Sequence, residues 1–99
     1  MTDQLTEMTP EDRYRRSLAI ASGAAVLRAL VAQADGDGGP LTPYRLGIAA
    51  GVSRHVARDQ AYRARRLGWV RVVQVPGPPP ANGYEITDAG RLHVSEQAR

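Results

Sequence analysis

Residues 41–75 read LTPYRLGIAAGVSRHVARDQAYRARRLGWVRVVQV, and residues 83–91 read GYEITDAGR. The run Gly51-Val52-Ser53 inside the first stretch decides the fold. Before it, Thr42 and Pro43 form a cap-plus-proline helix start. The helix is expected over 43–50, with Leu46 and Ala50 inward and Tyr44 and Arg45 outward. Gly51 has the freedom to adopt the positive φ that stops one helix and turns the chain sharply into the next. Val52 is expected to pack inward, and Ser53 to accept a bond from the free N–H groups of the following helix. That helix, over 53–67, puts Val56, Ala57, Gln60, Ala61, Ala64 and Leu67 on one stripe. His55, Arg58, Asp59, Tyr62, Arg65 and Arg66 fall on the other side. The small alanines allow close approach to neighbouring helices, and Gly68 ends the helix.

Downstream, residues 69–75 (WVRVVQV) are rich in strand formers. Residues 76–83 (PGPPPANG) carry no strand or helix signal and are expected to form a long turn, returning in a short strand over Tyr84–Thr87. Thr87 or Asp88 starts a last helix with Ala89, Leu92 and His93 on its packed side. Upstream, Thr9-Pro10-Glu11-Asp12 starts a first helix. Two helical series follow, Tyr14, Leu18, Ala21, Ala25 and Ile20, Ala24, Leu27, Val31. Ser22-Gly23 is a place for a kink or a close helix contact. The loop DGDGGP over 35–40 ends the helix near Gln33 or Ala34. The expected organisation is a polar tail over 1–8 and a single domain over 9–99. Its helices lie at about 10–34, 43–50, 53–67 and 88–98, with a hairpin at about 69–87. The fold class is mainly α with a small β-hairpin, in the order α-α-α-β-β-α.

Composition narrows the function classes. Ninety-nine residues make one ordinary domain. Without cysteine there is no disulfide framework, thiolate metal site or cysteine nucleophile. The apolar stretch from Leu18 to Val31 reads as too short and too polar to span a membrane. The N-terminus lacks the basic region of a secretory signal, so a cytoplasmic protein is expected. Asp35 and Asp37 resemble the opening of a calcium loop, but its twelfth position is Leu46 rather than glutamate. Neither His55 nor His93 has a partner at metal-ligand spacing. No cofactor, metal or enzymatic role is expected, and no ligand pocket is evident. The formal net charge is +3, unevenly spread. Pro40–Val75 holds seven Arg against Asp59 alone, a net +6, while the segments on either side are slightly acidic. Such a patch suits a polyanion. Every basic residue except the two histidines is Arg, which suits bidentate contacts to phosphate and guanine. GC-rich coding produces the same bias.

Four pieces in order resemble the winged helix-turn-helix superfamily, most closely the MarR-like and PadR-like bacterial regulators. They are Pro43, Gly51-Val52-Ser53, Leu67-Gly68-Trp69-Val70, and Tyr84-Glu85-Ile86-Thr87-Asp88-Ala89-Gly90-Arg91. The resemblance covers about Ile20 to Arg91. It implies sequence-specific binding of double-stranded DNA, with the third helix in the major groove. Arg54, His55, Arg58, Asp59 and Tyr62 would lie near base edges. Asp59 would accept from cytosine N4, or would instead orient Arg58 or Arg63. Arg63, Arg65, Arg66 and Arg71 are the expected phosphate contacts, with Tyr44 and Arg45 also at the backbone and Ser53 at the turn. A solvated surface accounts for Arg65, Arg66 and Tyr62 equally well. The expected function is a transcriptional regulator, a repressor, acting as a homodimer. Tyr14 and Leu18 of the first helix and Leu92 and Val94 of the last form the candidate interface. The alternatives are a DNA-binding factor in replication, partition or excision of a mobile element, and a protein-interaction module without DNA binding. The chain departs from the family pattern at the wing tip, residues 76–83, which carries no charge. It would meet phosphates through its backbone or Asn82, meet another protein, or have no partner.

Overall fold

The computed structural model describes residues 9–98; the tail expected over 1–8 lies outside the described residues. The elements are α1 (Pro10–Asp35), α2 (Pro43–Ala50), α3 (Arg54–Arg66), β1 (Val70–Val75), β2 (Ala81–Ile86) and α4 (Asp88–Gln97). This is the mainly helical α-α-α-β-β-α order expected from the sequence.

Each helix begins at a hydroxyl cap. Thr9 Oγ1 accepts from the Asp12 N–H at 3.1 Å and Ser53 Oγ from the Val56 N–H at 3.2 Å. Thr42 Oγ1 accepts from Arg45 at 3.4 Å and Thr87 Oγ1 from Gly90 at 3.1 Å. Each bond satisfies an N–H that the first helical turn leaves unpaired. Pro10 and Pro43 follow two of these caps, where a missing N–H costs nothing.

One core joins the elements. Val26, Leu27 and Leu30 of α1 meet Leu46 of α2, Ala57, Ala61 and Ala64 of α3, Val70 of β1, and Tyr84 and Ile86 of β2. Val26 and Leu46 are fully buried and Leu30 nearly so. Full burial of such a side chain stabilises the fold by about 1.5–3 kcal/mol. Leu41 belongs to the same core and adds a short third edge to the hairpin. Its N–H donates to the Tyr84 carbonyl at 3.0 Å, and the Tyr84 N–H returns the bond at 2.8 Å.

Several sequence expectations change. The inward stripe of α1 is Ser22, Val26, Leu27 and Leu30; of the two expected series, the one from Ile20 holds in its later half, with Leu27 buried and Val31 packed against the core, while the one from Tyr14 does not face inward. Tyr14, Leu18 and Ile20, in the first three turns of α1, stay exposed. Gly23 serves close packing without a break in α1: a Cβ there would stand 3.1 Å from Gln60 Oε1 of α3. By length and composition α1 is also long and apolar enough to cross a membrane, contrary to the expectation from Leu18–Val31. Between Ser17 and Ala34 its only charged residue is Arg28. In this fold that stretch supplies core side chains for α2, α3 and β2.

The hairpin is longer than expected. Val75 pairs with Ala81, Gln74 with Asn82 and Val73 with Gly83, so the tip shrinks to residues 76–80. Asn and Gly are poor strand formers; the strand partner VVQV imposes the conformation. A Cβ at Gly83 would stand 2.7 Å from Pro40 Cβ, so the strand passes this point only as glycine. At the ends, Leu67 and Leu92 are exposed, although both were expected to be inward. The packed side of α4 is Gly90, His93 and Val94, with Ala89 exposed. The Thr87 cap sets that helical phase.

Candidate nucleic-acid interface

The turn between α2 and α3 orients the candidate surface. Gly51 has φ 73° and ψ 32°, the left-handed conformation that a side chain disfavours. The Val52 N–H then donates to the Gly47 carbonyl at 2.9 Å, closing the end of α2. Val52 packs against the core, and Ser53 opens α3. The buried side of α3 is Ala57, Ala61 and Ala64, which hold the helix close to α1 and α2.

The outer side divides into lines. At 100° per residue, His55, Asp59, Tyr62 and Arg66 fall within about 60° of one another, directly opposite the buried alanines. All four are exposed. Arg54, Arg58 and Arg65 fall within about 40° on one flank and are also exposed. Arg58 and Arg65 of this flank, and Asp59 of the outer line, act electrostatically on Tyr84 of β2. Burial pushes the Tyr84 phenol above its usual pKa, and these two guanidiniums oppose that shift. Tyr44 and Arg45 are exposed on the outer side of α2.

Two of the twelve candidate residues sit apart. Arg63 is on the other flank of α3 and lines a cleft against α1 and α4. Arg71 of β1 donates from Nε to Glu85 Oε1 at 3.1 Å across the hairpin, so its charge is locally balanced. The tip beyond it carries none. The sequence located both arginines, but an ion pair across strands 14 residues apart depends on a register it does not print.

The cleft itself is a feature that the sequence reading missed. It encloses 740 Å³, with Arg16, Arg28 and Arg63 around an apolar floor that includes Leu27 and Trp69. Trp69 and His93 stack there, ring centroids 3.7 Å apart and nearly parallel at 13°. These residues come from three helices and the base of the hairpin. No local spacing signals their meeting.

No family model and no curated protein matches the sequence. Two solved structures are similar in fold. One is the PcaV transcriptional regulator from Streptomyces coelicolor, in complex with its natural ligand. It has a TM-score of 0.60 and 22% identity, over 95% of this chain and 72% of that one. The fold is a winged helix-turn-helix. The second similar structure, the M. tuberculosis transcriptional regulator MosR, has a TM-score of 0.55 and 26% identity, over 85% of this chain and 65% of that one. In these terms α2 and α3 are the helix-turn-helix pair. β1 and β2 are the wing.

Proposed function

We propose that this chain is a sequence-specific double-stranded DNA-binding regulator, a homodimeric transcriptional repressor of the cytoplasm without enzymatic activity. The observation that carries the reading is α3. It is seated by three alanines, and its exposed side presents Arg54, Arg58, Arg65 and Arg66 after the Gly51 turn. A helix held this way fits a major groove about 12 Å wide. Arg54, His55, Arg58, Asp59 and Tyr62 lie toward its N-terminal half, where recognition helices meet base edges. Arg65, Arg66, Tyr44 and Arg45 then meet phosphates. The fold resemblance to two transcriptional regulators supports the same conclusion.

The dimer surface in this reading is the first turns of α1 with the outer side of α4. Tyr14 is 68% exposed, Leu18 53% and Leu92 59%. The first two turns of α1 are exposed throughout; so short a helical stretch is marginal in water on its own, and in this reading a second copy supports it. The cleft ringed by Arg16, Arg28 and Arg63 fits a small apolar anion as effector.

Selection of bound sequences from random duplex DNA, followed by gel shift with Arg58→Ala, tests the proposal. The expected outcome is one enriched motif for the wild-type protein. The variant, with its fold intact, should then bind that motif about tenfold or more weakly, as for loss of one bidentate base contact. Absence of duplex binding at physiological salt would overturn the DNA reading in favour of an interaction module.

A further inference from the structure

Asp59 is the only acid on α3, among five arginines. Its position on the helix needs explaining. It lies outside the first turn, where a carboxylate would stabilise the helix dipole. It lies on the outermost line with His55, Tyr62 and Arg66, and its side chain is 67% exposed. Its closest cation is Arg58, with Nε 3.9 Å from Oδ1, which is an ion contact beyond hydrogen-bond range. So exposed a pair contributes little to stability. The carboxylate accepts no side-chain hydrogen bond among the described residues, and it neither caps nor bridges an element. On a surface that approaches phosphates, an unbonded negative charge at the apex weakens binding to DNA in general.

On a DNA-facing surface, the contribution open to such a residue is to disfavour wrong bases. We propose that Asp59 sets base choice by requiring cytosine at one position of each half-site, with Arg58 on the guanine side. This inference rests on the DNA-binding reading above. The chemistry that selects cytosine is simple. Guanine shows two acceptors in the major groove, thymine shows O4 and a methyl group, and adenine places acceptor N7 beside its amino group. Cytosine alone offers a donor, N4, without an acceptor on the same base edge. A carboxylate meets an acceptor on every base edge except that one. Arg58, its head group 3.9 Å from the carboxylate, has the donor fork that guanine O6 and N7 accept. The two side chains therefore present an acceptor and a donor side by side, complementary to a C·G pair.

The test compares wild type, Asp59→Ala and Asp59→Asn by selection from random duplex DNA, with affinities measured for the enriched site and a scrambled duplex. Circular dichroism should show all three folded, since position 59 is an exposed helix site that tolerates both residues. The wild-type motif is expected to contain a fixed C·G pair, preferred about 5- to 150-fold over other pairs at that position. Asp59→Ala should lose that preference while binding the scrambled duplex a few-fold more tightly. Asp59→Asn should move the preference to adenine, whose N6 and N7 an amide reads together. If the wild type selects a motif that Asp59→Ala leaves unchanged, the assignment of Asp59 is overturned while the DNA-binding reading stands. If the wild type selects no duplex at all, both fall together.

Discussion

Replacing Gly90 by alanine should destabilise the domain, although alanine is the better helix former. Gly90 sits in the first turn of α4, against the backbone at the start of the wing. A Cβ there would lie inside van der Waals contact of the Trp69 carbonyl oxygen, 3.0 Å from its carbon and 2.6 Å from Ile86 Cδ1. The carbonyl has little freedom to retreat, because it accepts the Thr87 N–H at 2.9 Å. Thr87 is itself held by its hydroxyl, which donates to the Gly68 carbonyl at 2.6 Å and accepts from the Gly90 N–H. Helix propensity favours alanine by about 1 kcal/mol. Overpacking against a fixed backbone costs about 1–3 kcal/mol, and breaking the Thr87 bond adds about 1 kcal/mol. The net expected loss is about 1–3 kcal/mol, a fall in Tm of roughly 4–20 °C for a domain of this size. Gly39→Ala is the matched control, because nothing lies within 4 Å of its Cβ position; it should be neutral or stabilising by under about 1 kcal/mol. Thermal unfolding followed by circular dichroism reads both. A Gly90→Ala protein as stable as wild type would show that α4 does not dock on the Trp69 carbonyl, and the argument from close approach would fail.

Three further outcomes are expected. The raised pKa of Tyr84 makes the unfolded chain release the phenolic proton first, so stability should hold through neutral pH and fall as pH climbs above about 10; Tyr84→Phe should flatten that decline in urea titrations across pH 8–11. Leu18→Glu places a charge on the exposed apolar side of α1; if the proposed dimer forms there, sedimentation velocity should show a dimeric wild type and a monomeric variant, and an unchanged sedimentation coefficient would refute the interface. If Arg65 meets a phosphate, Arg65→Ala should lower the slope of log affinity against log salt by about 0.9 and weaken all duplexes alike; a change confined to one base position would reassign it to base readout.

The element order was legible because each boundary carries local chemistry. Thr9-Pro10, Thr42-Pro43 and Ser53 cap helices wherever they stand, and Gly51 stops one by φ alone. The outer side of α3 was legible for the same reason, since a 3.6-residue period sorts the alanines from the arginines. What failed was everything set by a distant partner. Asn82 and Gly83 are strand residues only because Gln74 and Val73 lie opposite them. Leu67 reads as core by type, yet α3 ends before anything covers it. Tyr14 follows helical spacing correctly, but no core side chain among the described residues covers its turn of α1. The Arg63 cleft, the Trp69–His93 stack and the Arg71–Glu85 pair are products of tertiary assembly, and no window of sequence contains both halves of any of them.

The Trp69–His93 stack gives the protein a built-in optical probe. Trp69 is the chain's one tryptophan, so its emission reports a single joint, where the wing base meets the last helix. Far-ultraviolet circular dichroism, by contrast, reports all four helices, of which α1 with 26 residues is the longest. The two signals therefore watch one joint and the helices as a whole. Coincident melting curves would mark one cooperative unit. Curves that separate only on dilution would match the exposed first turns of α1 fraying as the proposed dimer parts, while the wing joint stays closed.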